Sequence, residues 1–125
     1  ISDYDKAIEL NPNFADAYYS RGNSKVDLKD YYGAISDYDK AIELNPNYTE
    51  AYYKRGLTKT RLKDFYGAIS DFNKKIKLDP NYATAYYNRG ASKYYTNDLK
   101  GACEDAKKSK SLGYEASKLI QSACK

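Results

Sequence analysis

A chain of 125 residues, 42% hydrophobic and 30% charged, fits a globular protein and excludes a disordered one. No apolar run approaches the roughly 18 residues that a membrane span needs, and no signal peptide is visible. Two cysteines and no histidine argue against a metal site and against most general acid–base chemistry, and the mild net charge of +4, spread evenly along the chain, reads first as a solvated basic surface, with acidic peptides or, more weakly, nucleic acid as the partners it would favour.

Residues 1–10 carry Tyr4, Ala7 and Ile8 at helical spacing and stop at Asn11, Pro12 and Asn13. The same stop returns at Asn45, Pro46 and Asn47 and again at Asp79, Pro80 and Asn81, a period of about 34 residues. Residues 1–34 match residues 35–68 at about 25 of 34 positions. Such a period predicts a solenoid, in which each unit buries its apolar face only against its neighbours. The chain opens in mid-repeat and contains no methionine, which predicts a piece of a longer protein. The unaccompanied first helix is then a candidate surface for self-association of that piece.

In the first full unit, residues 15–28 lack proline and place Tyr18, Gly22 and Val26 on connected helical faces. Glycine inside a helix costs about 1 kcal/mol against alanine. Its return at Gly56 and Gly90 therefore predicts close approach by a neighbouring helix. Lys29 and Asp30 make a turn, with Asp30 as N-cap of a second helix over residues 31–44. Ala34, Ile35, Tyr38, Ala41, Ile42 and Leu44 form its core face, and Pro46 prevents its continuation. The unit is helix, turn, helix, turn, and the fold class it predicts is all-α.

Past Leu112 the pattern changes. Gly113 closes a helix, and residues 114–124 form another through Ala116, Leu119, Ile120 and Ala123, with Lys118, Gln121, Ser122 and Lys125 on its polar side. That polarity suits a cap on the end of a solenoid. Cys103 and Cys124 lie about equally far from Gly113, so an antiparallel fold-back brings them to one level. A disulfide there would contribute on the order of 3 kcal/mol and favour an exported or periplasmic protein. Two buried thiols would pack there equally well. Localisation is otherwise unconstrained, with the cytoplasm as default.

The recurring Tyr18, Gly22, Ala34, Tyr38, Ala41 and Pro46, followed by Tyr52, Gly56, Ala68, Phe72 and Pro80 and by Tyr86, Gly90, Ala102 and Ala106, resemble the tetratricopeptide repeat (TPR) family over essentially the whole chain. The resemblance implies a right-handed superhelical α-solenoid of antiparallel helix pairs. Residues 1–14 would be the second helix of a preceding repeat, with repeats at 15–48, 49–82 and 83–112 and a capping helix over 113–125. The chain departs from the family pattern at Arg21, Arg55 and Arg89 and at Lys25, Lys59 and Lys93. An acidic residue recurs with the same regularity at Asp3, Asp37, Asp71 and Asp105, and the cations are expected to pair with it.

Binding by relatives of this kind implies a concave groove lined by the first helix of each pair. The functional candidates on that face are a stripe of Tyr19, Tyr53 and Tyr87 and the residues around it that vary between units: Asn23, then Leu57 and Arg61, then Tyr94 and Tyr95. Tyrosine offers large contact area with a polar tip, so a protein or peptide ligand in this groove is the leading expectation. Some family members clamp a chaperone's C-terminal carboxylate. Of the corresponding residues here (Tyr19, Asn23, Lys54, Thr84 and Asn88) only Asn23 matches, so that clamp is absent. No catalytic motif, cofactor or metal set is found, and an enzyme is not expected. A structural spacer is the bland alternative. RNA binding is the remote one, because Arg61 stands nearly alone as a cation in the groove and salt-dependent binding would be needed to revive it.

Overall fold

The computed structural model describes residues 2–125 and contains α1 (Ser2–Leu10), α2 (Ala15–Asp27), α3 (Tyr31–Leu44), α4 (Thr49–Arg61), α5 (Phe65–Leu78), α6 (Ala83–Tyr95), α7 (Leu99–Ser111) and α8 (Ser117–Ala123). There is no strand among the described residues, and Ile1, expected in the first helix, lies outside them.

One local device makes every turn within a pair. Lys29, Lys63 and Asn97 take left-handed φ values of 61°, 62° and 67°. The next amide then reaches back to close the preceding helix: Asp30 N donates to Lys25 O at 2.8 Å, Asp64 N to Lys59 O at 2.9 Å and Asp98 N to Lys93 O at 2.8 Å. The same aspartates open the following helix, their carboxylates accepting from Gly33, Gly67 and Gly101 N–H at 2.9–3.0 Å. Three residues thus stop one helix and start the next, which leaves the two helices antiparallel.

Helices pair as α2 with α3, α4 with α5 and α6 with α7, and α4 and α6 pack in turn on the preceding pair. These contacts build the right-handed solenoid. The core is unusually rich in alanine (Ala34, Ala41, Ala51, Ala68, Ala85, Ala102 and Ala106 are fully buried), so backbones approach closely. Tyr38 and Phe72 are its largest fully buried side chains. A Cβ on Gly22 would lie 2.8 Å from the Tyr38 ring, and one on Gly56 would lie 2.7 Å from the Phe72 ring. Each glycine is the space its partner's ring occupies.

The third pair has Ala106 where a ring would stand, and α8 makes good the loss. Leu119 packs with Ala106 and Ala116, and its Cδ2 would sit 3.4 Å from a Cβ on Gly90. This helix is shorter than expected, starting at Ser117 and not near Tyr114. Gly113 at φ 99° turns the chain, Glu115 accepts from Ser117 N–H at 2.7 Å, and Tyr114 stays outside the helix with its ring 5.0 Å from that of Tyr87. Cys103 of α7 and Cys124 just past α8 are joined by a disulfide, with Cα atoms 4.9 Å apart.

Candidate functional site

Between the helices of each pair runs a repeated ion-pair staple. Arg21 grips Asp37 through Nε and Nη2 at 2.8 and 2.7 Å, Arg55 grips Asp71 at 2.9 and 2.7 Å, and Arg89 grips Asp105 at 2.8 and 2.7 Å. Lys25, Lys59 and Lys93 add a second cation to the same carboxylates at 3.0–3.1 Å. The third guanidinium nitrogen reaches back to the preceding unit, to Asp5, Asp39 and Asn73 at 2.8–2.9 Å. Burial alone would lower the Arg55 pKa, but Asp71 and then Asp39 raise it above the ordinary guanidinium value. These cations are consumed by the fold and are not available to a ligand.

Two of the candidate tyrosines are likewise largely engaged. The Tyr19 ring lies 5.9 Å from Tyr38 and 5.0 Å from Tyr48, and that of Tyr53 lies 5.9 Å from Phe72 and 5.1 Å from Tyr82. The Tyr53 hydroxyl donates to Thr84 at 3.1 Å and accepts from Asn88 Nδ2 at 3.0 Å, tying α4 to α6. Burial raises its pKa, partly offset by those hydrogen bonds. Asn23 accepts from the Tyr38 hydroxyl and is committed in the same way. Beside this layer lies Lys75, a departure from the repeat pattern. It is 3% exposed where the first unit has Ala41, with Nζ 4.1 Å from the Tyr82 ring centre and 3.5 Å from Asp79.

The open surface is a row of clefts between successive first helices. Asn23, Val26, Asp27, Lys54, Leu57, Thr58 and Arg61 line one of about 330 Å³ between α2 and α4. One repeat on, Thr60, Lys63, Phe65, Asn88, Ala91, Ser92 and Tyr95 line one of about 510 Å³ between α4 and α6. The second is larger because Ala91 and Ser92 stand where the first has the bulkier Leu57 and Thr58. A third, of about 180 Å³, joins Tyr87, Tyr94 and Tyr95 to Lys118, Leu119 and Ser122 of α8. Tyr95 is 68% exposed and stacks on Phe65 at 4.9 Å with ring planes 18° apart, and Tyr94 is set edge-on to it at 5.9 Å.

The structure therefore brings Leu57 and Arg61 together in one cleft and gathers Tyr87, Tyr94 and Tyr95 around the next two. Lys63, Phe65 and Ser92 escaped the sequence reading, which placed Lys118 only on the polar side of the capping helix. Lys63 and Phe65 belong to the turn and the second helix, and only the left-handed turn brings them to the cleft.

Family profiles described as tetratricopeptide repeat match residues 15–48 and 49–82, and one described as TPR repeat matches residues 1–28. The chain belongs to the tetratricopeptide repeat family. Among solved structures it is similar to the first TPR of Spaghetti (RPAP3) bound to an HSP90 peptide, SRMEEVD, at 27% identity and TM-score 0.83, covering 88% of this chain and 90% of that one. It is similar to MamA at 25% identity and TM-score 0.85, covering 97% of this chain and 78% of that one. The TPR domain of Arabidopsis OM64 shares the fold at 24% identity and TM-score 0.81, covering 86% of this chain and 91% of that one. No curated protein sequence matches the chain. The fold is one that serves protein–protein interaction.

Proposed function

We propose that this chain is a non-catalytic interaction scaffold whose concave face holds a peptide segment of a partner protein, centred on the clefts on either side of α6. The observation that carries this reading is Tyr95, two-thirds exposed on a preformed aromatic stack beside the α4–α6 cleft. A rigid, half-solvated aromatic next to a concave apolar surface is the usual make-up of an interface anchor. The RPAP3 domain offers a precedent, since it is bound to an HSP90 peptide. The residues that would be needed here to clamp a terminal carboxylate are Tyr19, Lys54, Thr84 and Asn88, and they are not of the clamping kind, so the ligand differs from a carboxylate-terminated chaperone tail.

A pull-down from a lysate of the source organism tests this, comparing the native chain with a folded Arg61→Glu, Tyr94→Ala and Tyr95→Ala variant. Partners held by the first and lost by the second are expected. Equal capture by both moves the binding surface off the concave face.

A further inference from the structure

We infer that the α4–α6 cleft is a side-chain pocket for a tyrosine borne on an acidic peptide, an inference that rests on the concave-face reading above. Three observations converge on this occupant.

The first is charge. Lys54, Arg61, Lys63 and Lys118 line the three clefts, and none of them is in an ion pair among the described residues. The arginines and lysines of the staples are all paired with acids, so these four are the cations that the clefts themselves offer a ligand. Among the described residues Asp27 is the one acid lining the three clefts. A peptide rich in Asp or Glu complements this surface, whereas a basic one meets like charge.

The second is shape and chemistry. The cleft is walled by the stacked rings of Phe65 and Tyr95 and by the methyl of Ala91. An aromatic ring inserted there extends a stack that is already ordered, so little side-chain freedom is lost on binding.

The third is an orphan hydroxyl. Ser92 is 1% exposed in the floor of this cleft, and its Oγ has no hydrogen-bond partner among the described residues. Its counterpart one repeat earlier, Thr58, is satisfied by donating to Lys54 O at 2.8 Å. A buried hydroxyl without a partner carries a desolvation penalty that an incoming hydroxyl relieves. A tyrosine supplies both the ring for the walls and the hydroxyl for the floor, and phenylalanine supplies only the first.

The probe is a display library of short random peptides panned on the full native chain, with the Arg61→Glu, Tyr95→Ala variant as counter-target. Enriched peptides are then synthesised with their tyrosine kept or changed to phenylalanine and titrated by fluorescence anisotropy against native protein and Ser92→Ala. Peptides with tyrosine among Asp and Glu are expected. The tyrosine form should bind native protein about threefold to tenfold more tightly than the phenylalanine form, and Ser92→Ala should erase that preference while leaving the phenylalanine form unchanged. A structural role for Ser92 would weaken both forms alike. Variant-sensitive peptides without tyrosine, or a preference that survives Ser92→Ala, would overturn this inference and leave the concave-face reading standing. Failure to enrich any variant-sensitive peptide would overturn both.

Discussion

Asp71 is 2% exposed and accepts from Arg55 Nε and Nη2 and from Lys59 Nζ, so it is the most heavily committed acid of the middle repeat. Changing Asp71 to Ala strands two cations whose side chains are only 18% and 19% exposed. Removing one partner of a buried pair costs about 3–5 kcal/mol. Arg55 keeps its bond to Asp39 at 2.8 Å and is partly solvated, which brings the expected loss for Asp71→Ala down to about 2–4 kcal/mol. Asp39 touches the same guanidinium but is 57% exposed, and Asp39→Ala should cost about 0–1 kcal/mol. Replacing Arg55 by Met and Asp71 by Leu together removes charge and counter-charge at once, and should be far milder than Asp71→Ala alone. Urea unfolding followed by far-ultraviolet circular dichroism measures all three. The reasoning is refuted if Asp39→Ala costs as much as Asp71→Ala, or if the double replacement is the most damaging of the set.

Gly56→Ala should destabilise by about 1–2 kcal/mol, because overpacking against the Phe72 ring outweighs the gain in helix propensity. Gly90→Ala should destabilise as well, because its Cβ would meet Asp105 Cβ at 3.0 Å and the Ala102 carbonyl oxygen at 3.2 Å, both anchored to backbone, and parallel thermal melts measure both variants. Reducing Cys103–Cys124 opens a loop of 21 residues and should lower stability by about 3 kcal/mol, seen as a lower melting temperature in dithiothreitol that a Cys103→Ser, Cys124→Ser variant reproduces without reductant. Burial raises the pKa values of Tyr19, Tyr38, Tyr48 and Tyr53 above 10.0. The unfolded chain therefore loses these protons first, so their contribution is complete below pH 10 and declines as pH rises beyond it. Tyrosinate absorbance should show a late-titrating group that joins the early one on unfolding.

How far the sequence reached differs from element to element. Pro46 and Pro80, the capping Asp30 and the recurring Gly22 are local signals whose geometry depends on neighbours within one turn, and the helix boundaries they predicted over α2 and α3 lie within a residue of those observed. The Arg–Asp staple was legible because it repeats in register, but its third arm to Asp5, Asp39 and Asn73 was not, since it crosses between units. The concave face was the least legible part. Periodicity places Tyr19, Tyr53 and Tyr87 on one face and is blind to what their hydroxyls touch, and Tyr53 turned out to be spent on Thr84 and Asn88. Ser92 and Lys63 gave no signal at all, because a cleft depends on how two repeats sit together and on which side chains became small.

The exchange of a ring for Leu119 at the last pair has a consequence for how such an array can change its length. A unit duplicated among residues 15–82 inherits a glycine and the aromatic that fills it, so the new copy arrives with its own packing complete. A unit added directly after Leu112 would push α8 away and take Leu119 from the face of Gly90 and Ala106, leaving a void there. Growth from within preserves these contacts, whereas growth at that end loses the Leu119 packing and pulls on the Cys103–Cys124 disulfide. The C-terminal residues thus act as a full stop, written by the substitution of a single ring.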